Sequence, residues 1–158
     1  MLKLIVRNLV LVCLVLTGQT VMAAGDHMSV FKTKGTFADV KEAVVQAITG
    51  RGFVINNISH IGNMLERTGK DLGAGKKVYL DAEALEFCSA TVSRHMMESD
   101  ADNIVFCPYI IAIYVVPSKP DEVRVAFRKT QMVGSKESQE ALKAVNELLT
   151  EIISEAVQ

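Results

Sequence analysis

Apolar residues recur along the chain with two different periods, and these periods predict its first elements. Residues 28–33 alternate with a period of two, which predicts a short strand. Thr36 is a typical helix N-cap, with Asp39 in position to complete a capping box. The helix that follows has one apolar face, formed by Phe37, Val40, Val44, Ala47 and Ile48. Gly50 ends this helix, and the β-forming residues 52–58 predict a second strand.

A weaker helical period follows around Gly62 and Gly69, each of which costs about 1 kcal/mol relative to alanine inside a helix. This segment predicts a second helix of low intrinsic stability. Residues 82–88 then predict a third strand. Ser89 is placed to cap a short third helix that extends to Met97.

The strongest β pattern of the chain lies near its end. Residues 109–116 form an almost uninterrupted apolar run, and a short turn with two prolines joins them to the alternating residues 123–128. Together these runs predict a β-hairpin. Ser135, which follows Gly134, is placed to cap a long last helix. Its apolar stripe consists of Leu142, Val145, Leu148, Leu149, Ile152 and Ile153.

The predicted order is β-α-β-α-β-α-β-β-α, with no repeat or linker that would divide it. This order predicts an α+β fold: a single domain over residues 28–158 with a mixed β-sheet and helices packed against it. The late hairpin and the long C-terminal helix are its most strongly patterned parts.

The N-terminus has the pattern of a secretory signal peptide. Lys3 and Arg7 precede an uninterrupted apolar run over residues 9–16, and small residues lie at the positions that favour cleavage after Ala23. The run falls well short of the ~20 residues that a membrane-spanning helix needs. Residues 1–23 are therefore predicted to be a cleaved signal peptide. The mature chain is expected in the periplasm or outside the cell, without stable insertion in a membrane.

Charge excludes one class of partner. Removal of Lys3 and Arg7 reduces the 17 basic residues to 15 against 18 acidic ones, so the mature chain has a formal charge of −3. A chain without a basic field lacks the electrostatic attraction that dominates binding to nucleic acid. No nucleic-acid partner is expected.

Two cysteines remain after cleavage, Cys88 and Cys107. In an oxidising compartment a disulfide between them is the first expectation, because it would close the loop between two strands. A second possibility is a redox or sulfur-transfer pair. Cys88 would then be the nucleophile, activated as a thiolate at the N-terminus of the third helix, and Cys107 would resolve the intermediate.

A third possibility is a site for a soft metal. Cys88, His95 and Met96 offer thiolate, imidazole and thioether, which suit copper or haem iron. His95 lies seven residues after Cys88, a spacing that would place both on nearly the same helical face. The chain has no phosphate-binding glycine loop, H-E-x-x-H, C-x-x-C or C-x-x-C-H motif, so hydrolase, kinase and covalent haem readings have little support.

Five runs of the sequence resemble the bacterial domain of unknown function 302 family. They are TFADVKEA at 36–43, GFVI at 52–55, MLERTGKDLG at 64–73, EFCS at 86–89 and FCPY at 106–109. The resemblance implies a compact α+β domain that often forms a homodimer and has no established activity. The cysteine-bearing form is loosely associated with bacteria that oxidise reduced sulfur compounds, which implies sulfur metabolism as a setting.

These observations favour one function over its rivals. They predict an exported binding or accessory domain of unknown ligand, stabilised by a Cys88–Cys107 disulfide and more consistent with a non-enzyme than with an enzyme. No cofactor is expected, and a homodimer is. The thiol-based redox or sulfur-transfer protein and the soft-metal or haem protein remain the alternatives.

Export generates the first testable prediction. Mature protein recovered from the periplasm of an expressing bacterium should begin at Ala24 or Gly25, because Val21 and Ala23 suit the −3 and −1 positions of a signal-peptidase site. Intact mass and N-terminal sequencing measure this directly. Recovery of the full-length chain in the membrane fraction would contradict it.

Overall fold

The computed structural model describes residues 27–158, and the predicted signal peptide lies outside this part of the chain. The strands are β1 Met28–Thr33, β2 Ile55–Ser59, β3 Asp81–Phe87, β4 Tyr109–Val115 and β5 Val123–Arg128. The helices are α1 Phe37–Thr49, α2 Ile61–Asp71, α3 Ala90–Ser99 and α4 Lys136–Ala156. A 3₁₀ helix, Ala101–Phe106, joins α3 to β4. No helix in the described part is both long and apolar enough to cross a membrane.

The five strands form one sheet in the order β1-β5-β4-β3-β2, and every neighbouring pair is antiparallel. The α+β fold, the late hairpin and the C-terminal helix are confirmed. The expectation of a mixed sheet is wrong. The alternating order of strands and helices suggested parallel crossovers, but α1 joins the two edge strands, and α2 and α3 each join neighbours that run in opposite directions.

Side-chain caps determine where three of the helices begin. Thr36, Ser89 and Ser135 precede α1, α3 and α4, as the sequence predicts. Each hydroxyl accepts a hydrogen bond from the backbone N–H three residues later, at 3.1, 3.4 and 3.2 Å respectively. Each bond satisfies one of the N–H groups that the first turn of a helix leaves without a partner.

The hydrophobic core lies between one face of the sheet and helices α1, α3 and α4. Its largest fully buried side chains include Ile48, Leu85, Phe87, Met96, Ile111, Ile113, Leu142, Ile152 and Ile153. Each such side chain contributes roughly 1.5–3 kcal/mol by leaving water. The core-facing residues of β3 and β4 follow the strand period of two.

The opposite face of the sheet carries small side chains at its centre. The register pairs Ala84 with Ala112 and Ala112 with Ala126, so one alanine from each of three adjacent strands forms a row across the sheet. Helix α2 borders this face by packing on β3, and none of its residues is buried. This face therefore lacks the large residues that fill the core.

Close packing of α2 on β3 generates a second prediction. A Cβ added at Gly62 would lie 3.0 Å from the backbone nitrogen of Ala82, whereas at Gly69 its nearest neighbour would be 3.7 Å away. Alanine is favoured over glycine by about 1 kcal/mol in a helix, but the contact with rigid backbone opposes this gain only at Gly62. We expect Gly69→Ala to raise the melting temperature by a few degrees and Gly62→Ala to lower it. Circular dichroism measures both, and equal increases would contradict the packing.

Candidate functional site

The two cysteines meet where β3 ends and β4 begins. Phe87 is paired with Tyr109 at the last position of the antiparallel ladder, and Cys88 and Cys107 extend beyond this pair. Their Sγ atoms lie 2.9 Å apart, and both side chains are half-buried free thiols. The expectation that antiparallel strands bring the two sulfurs together is confirmed. Whether the pair forms a disulfide stays a prediction.

The 3₁₀ helix holds Cys107 in position. Asn103 in this helix is buried, and its side-chain N–H groups donate to the Met96 carbonyl of α3 at 3.0 Å and to Ser138 Oγ of α4 at 2.9 Å. The backbone N–H of Cys107 donates to the Ile104 carbonyl at 3.0 Å. The sequence analysis did not predict this 3₁₀ helix, because so short a segment has no apolar period of its own.

Two hydroxyl groups lie beside the sulfurs. Ser93 Oγ and Tyr109 Oη are 2.9 Å apart in a buried hydrogen bond, and Ser93 Oγ is 3.8 Å from Cys107 Sγ. Sequence reasoning missed both residues as members of the site. Ser93 lies one helical turn after the Ser89 cap, and its position on the buried face of α3 was the available signal.

Burial keeps the Cys88 thiol protonated. Desolvation, together with the hydrogen bond and the charge of Cys107, raises the pKa of Cys88 to about 11. A hydrogen bond with the backbone of Tyr109 lowers the pKa of Cys88, but this effect is smaller. The raised pKa is opposite in direction to the thiolate stabilisation that was expected from the helix N-terminus. A protonated thiol is a poor nucleophile at neutral pH.

The structure does not assemble the three residues that were candidates for a soft metal. His95 is exposed, whereas Met96 is fully buried, so these adjacent side chains lie on different faces of α3. The helical spacing from Cys88 to His95 was misleading because Cys88 precedes the Ser89 cap and therefore lies outside the helix. Across residues 27–158 no group of three or more His, Cys, Asp or Glu side chains could hold a metal ion.

A cavity of about 470 Å³ opens on the sheet face that carries the alanine row. Ala112 and Ala126 line it, and so do Tyr79 and Tyr114, which make an edge-to-face contact with centroids 5.5 Å apart. Its other lining residues include Met28, Ile61, Ala82, Phe106, Pro108, Ile110 and Arg128. Sequence reasoning missed this cavity.

The cavity deepens where β4 and β5 separate. The two strands pair only between residues 112–115 and 123–126. Beyond that point β4 stays paired with β3 as far as Tyr109, and β5 stays paired with β1 as far as Arg128. Val145 and Leu149 of α4 consequently line the cavity from the far side of the sheet. Phe106 and Pro108, which flank Cys107, join this end of the cavity to the thiol pair.

The known family that matches the chain is described as domain of unknown function DUF302, and the match extends over residues 29–156. The chain belongs to the DUF302 family. The resemblance that the sequence suggested is thereby confirmed, and it brings no assigned activity.

A solved structure agrees with this assignment. The crystal structure of an uncharacterized conserved DUF302 protein from Bacillus stearothermophilus matches with a TM-score of 0.69 and 11% sequence identity. The match covers 83% of this chain and 98% of that chain. At this identity the similarity shows the DUF302 fold alone. No curated protein sequence matches the chain.

The thiol pair generates a third prediction for this DUF302 protein. Cys88 and Cys107 are 19 residues apart in sequence, and a bridge that closes a loop of this length stabilises a protein by ~3 kcal/mol on the chain-entropy model. We expect the air-oxidised mature protein to melt several degrees higher than the same protein in reductant.

Cys107→Ser is the matched control, because it should melt at one temperature with or without reductant. Intact mass after alkylation should show no free thiol in the oxidised wild type. If the oxidised wild type still contains two free thiols, or melts as the reduced form does, the structural bridge is refuted.

Proposed function

We propose that this protein is an exported binding or accessory domain whose ligand occupies the cavity on the alanine-bearing face of the sheet. The cavity itself is the observation that carries the proposal. Its volume of about 470 Å³ falls in the range of sites for small molecules, roughly 300–1,000 Å³. Apolar and aromatic side chains dominate its lining, with a few polar groups at its margins, as is typical of such sites.

The cavity exists because small residues stand at positions where core packing does not require a small side chain. Ala112 and Ala126 alternate with the core residues Ile111, Ile113 and Val125 along their strands. Larger residues at these two outward positions would be compatible with the strand and would fill the cavity. The alanines therefore leave space that a ligand with an apolar surface can occupy.

The cysteine pair has a supporting role in this proposal. On oxidation the two thiols would form one S–S bond, and a disulfide oxidant would take up the two electrons and two protons and be released as two thiols. The bridge would hold Cys107, and with it Phe106 and Pro108 at the end of the cavity. The protonated state of the Cys88 thiol favours this structural role over a nucleophilic one.

Two further expectations accompany the proposal. The signal-peptide pattern supports a periplasmic or secreted location. The family resemblance supports a homodimer, in which each copy would carry its own cavity. The binding reaction needs no enzyme activity, metal or cofactor.

Filling the cavity tests the proposal. N-phenyl-1-naphthylamine is a neutral apolar fluorophore that brightens when it leaves water, and we expect it to bind the mature wild-type protein. Ala112→Phe should weaken this binding by at least ~10-fold, because a phenyl ring at this lining position would occupy space in the cavity. A fluorescence titration measures the change.

Ala38→Phe is the matched control. Ala38 is exposed on α1 and does not line the cavity, so the same substitution there should leave binding unchanged. Thermal unfolding of both variants checks that they are folded. The proposal fails if the wild type does not bind the probe, or if folded Ala112→Phe binds it as tightly as the wild type.

A further inference from the structure

The cavity has a positively charged end. Arg128 lies at the end of β5 on the same face as Ala126, two residues away, and is paired with Met28 of β1. It is exposed, and it forms no ion pair with another side chain of residues 27–158. His27 and Lys129 line the same end. A guanidinium group therefore faces the cavity without a carboxylate from the described chain.

The acidic group of the lining is already neutralised. Glu83 belongs to the lining, but it alternates along β3 with Ala82 and Ala84, so its side chain lies on the helix-covered face of the sheet. There its carboxylate forms an ion pair with Lys41 of α1 and lies 2.9 Å from His60 Nδ1. Burial raises the pKa of Glu83, but the bonds with Lys41 and His60 together lower it below its usual value. Glu83 thus stays ionised and paired with Lys41 and His60, and it does not form an ion pair with Arg128.

Charge and shape together specify the class of ligand. A guanidinium group binds a carboxylate through two parallel hydrogen bonds, which are stronger than those between neutral groups. The alanines, Ile110 and the tyrosine pair would contact an apolar body. The formal charge of the whole chain is −1, so an anion is attracted by the local cavity and not by a general basic field.

We infer that the cavity binds amphipathic monocarboxylates, with the carboxylate on Arg128 and the apolar body over Ala112 and Ala126. This inference rests on the proposed function, because it assigns a ligand class to the same cavity. It goes beyond that function in naming a charged group and the residue that recognises it.

Three probes with the same alkyl chain test the inference: octanoate, octanol and octylammonium. Each is used to displace N-phenyl-1-naphthylamine from the mature wild-type protein at low salt. We expect octanoate to bind about tenfold more tightly than octanol, and octylammonium more weakly than either, since Arg128 attracts only the anion. Arg128→Gln should remove the preference for octanoate and leave the affinity for octanol unchanged.

Arg124→Gln is the matched control. Arg124 lies on the same sheet face of β5, but its Nε atom is bonded to Glu122 at 2.8 Å and the residue does not line the cavity. This variant should keep the wild-type preference, and Arg128→Lys, which retains the positive charge, should keep part of it.

The possible outcomes test the ligand class separately from the cavity as a binding site. If octanoate and octanol bind equally well to the wild type, or if folded Arg128→Gln retains the preference, the carboxylate assignment is overturned and the cavity remains a binding site. If the neutral fluorophore itself does not bind, the proposed function fails. If Arg128→Gln weakens octanol and octanoate to the same extent, Arg128 has only a structural role and the inference is overturned.

Discussion

The antiparallel register of β3 against β4 determines the position of nearly every feature that bears on function. Seven residue pairs connect these strands, from Asp81 with Val115 to Phe87 with Tyr109. Because side chains alternate along a strand, this one register assigns large residues to the core and alanines to the opposite face. It also brings Cys88 beside Cys107 at the end of the ladder. A shift by one residue would reverse both faces and separate the sulfurs.

Helical cover on one face of the sheet supplies most of the stability, so the other face can carry a cavity. Helices α1, α3 and α4 bury the large apolar residues of that face, including Phe87, Ile111 and Ile113. This burial is the main favourable contribution to folding. The outer face contributes little apolar burial to folding, because its central residues are alanines. A cavity there consequently destabilises the protein less than a cavity within the core, where the loss of even one methylene group lowers the free energy of unfolding.

Local features of this fold could be predicted from the sequence, whereas features that depend on distant segments could not. The three hydroxyl caps and the strand of residues 28–33 follow from neighbours within a few positions. The meeting of Cys88 and Cys107 was predictable once their strands were assumed to be antiparallel. The separation of β4 from β5 was not, because it depends on the partners that each strand keeps on its other side. The pairing of Glu83 with Lys41 and His60 likewise joins segments that sequence spacing does not relate.

The two ends of the cavity differ in how many of their contacts are buried, and this difference bears on how a ligand would enter. At one end Asn103, Ser138 and the buried bond between Ser93 and Tyr109 fix the 3₁₀ helix and the start of β4. At the other end α2 contributes Ile61 to the lining, yet none of its residues is buried. Elements with few buried contacts open at the lowest free-energy cost. Adjustment to a ligand is therefore least costly at α2, while the end beside the thiol pair keeps its geometry.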